Sequence, residues 1–313
     1  MIYDSDILYL YDAKLTNPNG DPDEENKPRM DEASGRNLVS DVRLKRYLRD
    51  YWLNSGKDIW VRRTEKSTDA KGRMKVLLEE YNSASGRSVT EKAARGDQGF
   101  IDWLLDKLID VRLFGATMPM EQTSLTFTGP AQFGWGYSLH RVEINSSATI
   151  SSTFAGRETA GEYGTFGKDW RVYYSLIGFH GIISRNRARH TRLTEDDIAA
   201  LDDAMLKAIP NEATSRSKMG QVPRLYLRIA YADGTNAKLG DLREDVVVVP
   251  VAGKTKDTLR DVRDYNLDVT RLLERMRARE KEIRQVYLFQ HPDLSTTLQQ
   301  DLKSIFGERL VAL

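Results

Sequence analysis

Ile7-Leu8-Tyr9-Leu10-Tyr11, then Asn17-Pro18-Asn19-Gly20-Asp21-Pro22-Asp23, then the stretch Leu38–Trp52 are the segments on which the fold turns. The first run is aliphatic and aromatic and is bounded by aspartate, which predicts a buried strand. The loop after it continues to Pro28, and its three prolines and one glycine exclude regular structure there. From Leu38 the apolar positions Leu38, Val42, Leu44, Leu48, Tyr51 and Trp52 keep helical spacing, with Ser40 or Asn37 available as a cap. The same helix carries a basic face.

Beyond this opening unit, Lys75–Tyr81 and Phe100–Leu113 read as helices separated by a Gly, Ser and Thr-containing connector. From Phe114 the texture changes to short runs of Thr, Phe, Val, Ile and Tyr punctuated by glycine, with strands expected at Ser124–Phe127, Val142–Ile144 and Arg171–Ile177. The Gly and Ser-rich piece at 145–168 suits a projecting hairpin, since loops of that length usually carry function. Thr194-Glu195-Asp196-Asp197 opens a helix like a capping box, and its stripe of Ile198, Leu201, Met205, Leu206 and Ile209 should stop at Pro210. Strands at Leu225–Tyr231 and Val246–Val249, an amphipathic helix at Leu267–Ile283, a strand at Val286–Phe289 and a terminal helix complete an α+β order without repeats or linkers.

At 313 residues the chain has room for one large domain or two modest ones. Lys plus Arg number 47 and Asp plus Glu 46, so the net charge of +1 argues for no polyanionic partner at the level of the whole molecule, and any such case must be local. The absence of cysteine excludes disulfides, thiol nucleophiles, iron–sulfur clusters and cysteine-ligated zinc, and it fits a reducing cytosol. Met1–Leu15 contains Asp4, Asp6 and Asp12 and no basic region, so it does not read as a signal peptide, and no apolar window approaches membrane-spanning length. The expected location is cytoplasmic.

Motifs for bound cofactors fail on inspection. Gly253-Lys254-Thr255 has Val248 where a phosphate loop needs glycine, and Gly161–Lys168 has one residue too many between its glycines, with Asp169 where Ser or Thr belongs. The Asn17–Asp23 segment alternates oxygen ligands like a calcium loop, but its prolines and the lack of a closing glutamate defeat that reading. His140, His180, His190 and His291 show no ligand-like pairing. The expectation is no catalytic residue, no metal and no cofactor.

What remains is basic. Arg36, Arg43, Lys45, Arg46 and Arg49 have only Asp41 between them as counter-charge; Arg185, Arg187, Arg189 and Arg192 have none; Arg216, Lys218 and Arg224 follow in a Ser and Gly-containing loop. Tyr47, Tyr51, Trp52, Phe179 and Tyr226 lie near them in sequence. Solvated faces would account for any one cluster, while segregated cations with aromatics suit phosphates and bases.

Asn17–Asp23, Lys27-Pro28-Arg29-Met30-Asp31 and Leu38-Val39-Ser40-Asp41-Val42-Arg43-Leu44-Lys45-Arg46 together resemble the N-terminal signature of the backbone subunit of type I CRISPR Cascade complexes, the Cas-seven type of the RAMP superfamily, most like subtype I-B. The resemblance continues at Val111–Gly115, Phe127–Phe133, Trp135–His140, Gly164–Asp169, Phe179-His180-Gly181 and Ser217–Gln221, covering about residues 5 to 232. It implies one modified RRM-like, ferredoxin-like palm over 1–313, with a helical insertion at 55–113 and a thumb hairpin at 142–168. It also implies a non-catalytic subunit that polymerises along CRISPR RNA, holding the guide backbone whatever its sequence and leaving recognition of target DNA to base pairing. Its partners would be that guide, the target DNA, copies of itself and other Cascade subunits.

Carried over residue by residue, Lys45 and Arg46 match the basic pair that meets guide phosphates, with Arg43 and Arg29 beside them. Arg216, Ser217, Lys218 and Met219 match a second backbone-contacting loop, and Phe154 or Tyr163 would be the thumb residue displacing a nucleotide. The rival reading is a metal-dependent endoribonuclease cutting target RNA, as in type III backbone subunits, with its carboxylate among Asp21, Asp23 and Asp31. An unrelated α+β metabolic enzyme would need a cofactor or nucleophile motif, and none was found.

Overall fold

A computed structural model of the chain describes residues 1–63, 65, 69–120, 123–152, 165–235 and 238–313. In chain order they form β1 (Ser5–Thr16), the short strands β2 (Gly20–Asp21), β3 (Lys27–Pro28), β4 (Met30–Asp31) and β5 (Arg36–Val39), and α1 (Asp41–Asn54). Helices α2 (Ala70–Ser85), α3 (Glu91–Ala94), α4 (Gln98–Lys107) and α5 (Ile109–Phe114) follow, then β6 (Gly115–Met120), β7 (Thr123–Thr128), β8 (Ala131–Phe133), β9 (Gly136–Ser138), β10 (Thr149–Ser152), β11 (Thr165–Lys168) and β12 (Val172–Ile183). After α6 (Arg185–Thr191), α7 (Glu195–Glu212) and β13 (Gln221–Tyr231) come β14 (Val247–Pro250), β15 (Tyr265–Asp268), α8 (Thr270–Ala278), β16 (Ile283–Gln290), α9 (Leu298–Phe306) and β17 (Leu310–Ala312).

One sheet organises the molecule, in the order β17-β16-β13-β1-β12-β9-β5-β4, with β8 also paired to β12. Every pairing in it is antiparallel except β16 with β17. Tyr9 of β1 lies opposite Phe179 of β12 and Tyr226 of β13. The ladder to β13 shifts register between Leu10 and Tyr11, where Pro223 comes opposite, because proline cannot donate to a regular ladder.

The middle of β1, Ile7–Tyr11, is continuously apolar because both faces of the strand are covered. Side chains alternate across a strand, so Ile7, Tyr9, Tyr11 and Ala13 enter one core with Leu44, Tyr47, Leu48 and Trp52 of α1 and Ile198, Leu201 and Met205 of α7. Leu8 and Leu10 enter a second core with Leu239, Leu242, Leu272, Leu298 and Leu302. A third core, built on Trp60, Met74, Leu77, Phe100, Leu104 and Met118, ties α2 and α4 to the β6–β7 hairpin.

Local signals place the helices. Ser40 caps α1, its hydroxyl accepting from the Arg43 N–H at 3.3 Å, and Thr194 and Asp197 form the capping box of α7. Pro210 does not stop α7, which runs on to Glu212. In the last turn the missing N–H removes a single bond, and that is tolerated where mid-helix it would not be.

Three other expectations change. The loop after β1 contains a small hairpin, Gly20–Asp21 against Lys27–Pro28, turned by Glu25 and Asn26 at φ 48° and 60°. Val142–Ile144 is not a strand: only Ile144 bridges, to Val172. The stretch Leu267–Ile283 divides into the end of β15 and the shorter α8, because the Asp268 carboxylate accepts from both the N–H (2.9 Å) and the hydroxyl (2.7 Å) of Thr270 and starts the helix there. β10 and β11 pair as the base of a hairpin within the expected thumb segment; Phe154 and Tyr163 lie outside the described residues. Among the described residues no helix is long and apolar enough to cross a membrane.

Candidate nucleic-acid interface

The end of β1 and the loop before β13 are sewn together by main-chain hydrogen bonds. Lys14 N–H donates to the Gly220 carbonyl at 2.8 Å, and the Ser217 carbonyl accepts from Asn17 N–H (2.8 Å) and from the Thr16 hydroxyl (2.5 Å). Gly220 has φ +102°, and a Cβ there would sit 2.5 Å from the Lys14 carbonyl oxygen, so glycine is required both by conformation and by space. Gly220→Ala is expected to cost about 2 kcal/mol of folding stability, measured by urea unfolding. An unchanged midpoint would show that the loop is not held against β1.

This seam carries the cations. Lys218 donates to the carbonyls of Asn17 (2.5 Å) and Pro18 (3.4 Å), and its two partners are thus neutral oxygens. Burial, reinforced by the neighbouring Arg43 charge, lowers its pKa to about 7. Arg43 lies 4.0 Å over the Tyr47 ring, and its buried Nε has no partner among the described residues. Gln221 donates to the Tyr47 hydroxyl and to the Lys218 carbonyl, both at 3.0 Å. Asn19 accepts from the N–H (2.9 Å) and hydroxyl (3.0 Å) of Ser40, which locks the β1–β2 loop onto the start of α1. Thus three segments far apart in sequence, 14–29, 40–47 and 215–221, share one ledge. Arg216 projects from it, 63% exposed and 3.9 Å from Asp169. Met219 and Val42 are exposed as well. In the 215–219 turn the Lys218 and Met219 N–H groups close onto the Ser215 carbonyl, whereas those of Arg216 and Ser217 donate to no acceptor among the described residues.

Other expected cations are committed elsewhere. Lys45, 11% exposed, bonds Asp41 (3.0 Å) and Gln132 (3.4 Å), and Arg46 forks onto Asp50 and reaches the Val61 carbonyl (3.2 Å). Both are held by an acid of their own helix. Arg49 is tied to buried Asp110 at 2.9 Å. Of the Arg185–Arg192 cluster, acid-free in sequence, Arg185 pairs with Asp233, and Arg192 with Asp102 (2.8 Å) and Asp106 (3.4 Å), while Arg187 and Arg189 have no ion pair among the described residues. Arg29 bonds Asp21 at 2.9 Å and lies 6.0 Å from the Trp135 ring.

Two cation–aromatic contact groups have no counterpart in the sequence reading. The Tyr137 ring is approached by Arg243 (4.1 Å) and Arg36 (4.9 Å), and the Trp170 ring by Lys27 (5.0 Å). No spacing signal could reveal them, since the partners come from distant elements. Two of the three carboxylates of the rival reading, those of Asp21 and Asp31, hold their own turns, and the Asp23 carboxylate has no partner among the described residues. Asp21 takes Arg29 and the Asp23 N–H, and Asp31 takes the Ala33 N–H and the Ser34 hydroxyl, which lowers its pKa. Among the described residues no three His, Asp or Glu side chains converge as metal ligands.

Residues 3–270 match the family model described as CRISPR-associated protein Cas7. A curated relative, "CRISPR-associated protein Cas7" of Haloferax volcanii, is 34% identical over 287 residues, covering 86% of this chain and 82% of the relative. Among solved structures, a chain of "CRISPR RNA-guided surveillance complex, pre-nicking" aligns with a TM-score of 0.51 at 16% identity, covering 94% of this chain and 95% of that one. A chain of "CRISPR RNA-guided surveillance complex" aligns at 0.49 and 15% identity, covering 91% and 88%.

Proposed function

We propose that this chain, which belongs to the CRISPR-associated protein Cas7 family, is the guide-RNA-binding backbone subunit of a type I Cascade surveillance complex. The observation that carries this reading is that the family match, over residues 3–270, contains every segment that folds into the cationic ledge. Copies of the chain assemble along CRISPR RNA, each gripping backbone phosphates, and base pairing to target DNA supplies the sequence specificity. Other Cascade subunits complete the particle in the cytoplasm. A near-balanced surface charge lets copies stack without mutual repulsion.

The strand order β13-β1-β12-β9, with α1 and α7 both packed on one face, supports reading the sheet as an RRM-like palm built on a split βαβ pattern. In an RRM the open face of the sheet stacks bases. Here that face carries the second core, so RNA runs along the ledge at the strand ends and its backbone, not its bases, is held. Arg43, Arg216, the Arg216 and Ser217 N–H groups and Lys218 make the primary contacts, Arg29 flanks them, and Lys45 and Arg46 support or join them from α1. The β10–β11 hairpin is the thumb. The subunit is non-catalytic in this reading, with the Asp21 and Asp31 carboxylates spent on turn geometry and Asp23 left as the loop carboxylate that a ribonuclease would need.

With guide RNAs of increasing length, mass photometry should show assemblies growing in equal steps while guide and complementary target RNA stay intact in magnesium. Metal-dependent cutting at regular intervals, lost in Asp23→Ala or Asp31→Ala, would instead establish the endoribonuclease.

A further inference from the structure

A basic recess lies one helical turn from the ledge. A recess of about 500 Å³ between α1 and the start of α2 is lined by Arg46, Arg62, Arg63 and Arg73, with Asp69 as its one acid. Asp69 is already committed to capping α2, accepting from the Gly72 N–H at 2.7 Å. Beside the recess Asp58 is shared by Arg73 at 2.8 Å, Arg62 at 3.1 Å and Lys107 at 3.4 Å, and Lys107 also has Glu80 at 3.2 Å. The Arg62 and Arg73 guanidiniums are thus left with one carboxylate between them.

The buried donors sharpen this imbalance. Arg73 is 1% exposed, yet its Nε and Nη1 have no hydrogen-bond partner among the described residues, and neither does the buried Nε of Arg62. Buried guanidinium groups ordinarily satisfy their donors, and these N–H groups have no acceptor in the protein among the described residues. A cluster of guanidiniums short of carboxylates favours an oxyanion, phosphate above all.

We propose that this recess binds a phosphate group of a nucleic-acid strand through Arg62, Arg63 and Arg73, with Arg46 at its mouth. Nucleic acid is favoured over an acidic protein because Arg46 follows Arg43 by one turn of α1, about 4.5 Å along the axis, so a strand held on the ledge is carried toward the recess. The inference rests on the RNA-binding reading of the ledge and extends it to residues outside the ledge.

The test compares the full chain with Arg62→Gln/Arg63→Gln and with the ledge variant Arg216→Ala. Binding of a fluorescein-labelled oligouridylate is followed by anisotropy across a salt series. The recess variant should bind several-fold more weakly at low salt and lose about 0.7 from the slope of log K against log salt, the value for one phosphate on a single strand. Arg63→Glu, which leaves the Arg62 to Asp58 pair intact, should do the same should the double variant fold poorly. An unchanged slope in the recess variants with a reduced slope in Arg216→Ala overturns this site and spares the ledge. An unchanged slope in all of them overturns both. If inorganic phosphate raises the melting temperature of the wild type while the oligouridylate slope is insensitive to the recess, the site takes free anion only. If assembly on guide RNA is lost with the slope intact, the recess takes a carboxylate of a neighbouring copy. Either result overturns the proposal.

Discussion

Asp202→Ala is expected to lower folding stability by roughly 3–5 kcal/mol, the usual cost of removing one partner from a buried ion pair. Asp202, on α7, accepts from Arg228 Nε at 2.8 Å and Nη2 at 2.5 Å and from the Tyr226 hydroxyl at 2.6 Å. Arg228 and Tyr226 belong to β13, so this cluster fixes the helix to the sheet. Arg228 is 5% exposed, and burial opposes its charge while Asp202 holds it on. Without the carboxylate, a guanidinium and a phenol lose their acceptor at a site largely shielded from water. The melting temperature should fall on the order of ten degrees by calorimetry. The double variant Asp202→Leu/Arg228→Met should recover much of that loss, because a matched apolar pair removes the stranded charge. If Asp202→Ala melts like the wild type, the pair is solvated and the packing of α7 on β13 is looser than described.

The same cluster shows which parts of the molecule a linear reading reaches. Tyr226 and Arg228 read locally as alternate residues of a strand and Asp202 as a charged residue on a helix, and nothing in the spacing joins them. Features encoded within a few residues were legible: the apolar run of β1, the Ser40 cap, the Thr194 capping box and the helical stripe to Trp52. Features that depend on distant partners were not. Val142–Ile144 has strand composition but only one bridge to β12, and Leu267 is held in β15 because its N–H donates to the Ser295 carbonyl at 2.9 Å. The basic clusters show the same limit in charge. Arg185 and Arg192 lack acids in sequence yet meet them from Asp233, Asp102 and Asp106, whereas Lys45 has its acid four residues before it on the same helix. The family resemblance points to the loop at 215–219, but that Lys218 bonds the carbonyls of Asn17 and Pro18, about 200 residues away, follows from the fold alone.

Guide binding should be linked to a proton through Lys218. In the free protein its pKa is lowered to about 7, burial being the main cause and the Arg43 charge the second. An unfolded lysine titrates near 10.4, so between pH 7 and 10 the folded state holds fewer protons than the unfolded one. Stability should therefore rise with pH across that window, while below pH 7 both states are protonated and the cost of the buried charge is present in full. A guide phosphate on the ledge reverses the balance, since a nearby anion favours the ammonium form and raises the pKa. Binding then takes up as much as one proton above pH 7. Affinity at constant ionic strength should weaken on the order of tenfold from pH 6.5 to 8.5. Lys218→Arg, charged throughout that range, should give a nearly flat profile, and so should Lys218→Met at lower affinity because the charge is gone. Anisotropy titrations supply the affinities, and calorimetry in buffers of different ionisation enthalpy counts the protons directly. Equal pH slopes for the wild type and Lys218→Arg, with no proton taken up, would mean that Lys218 only ties the 215–219 loop to Asn17 and Pro18. The phosphate contacts of the ledge would then fall to Arg43, Arg216 and the free N–H groups beside them.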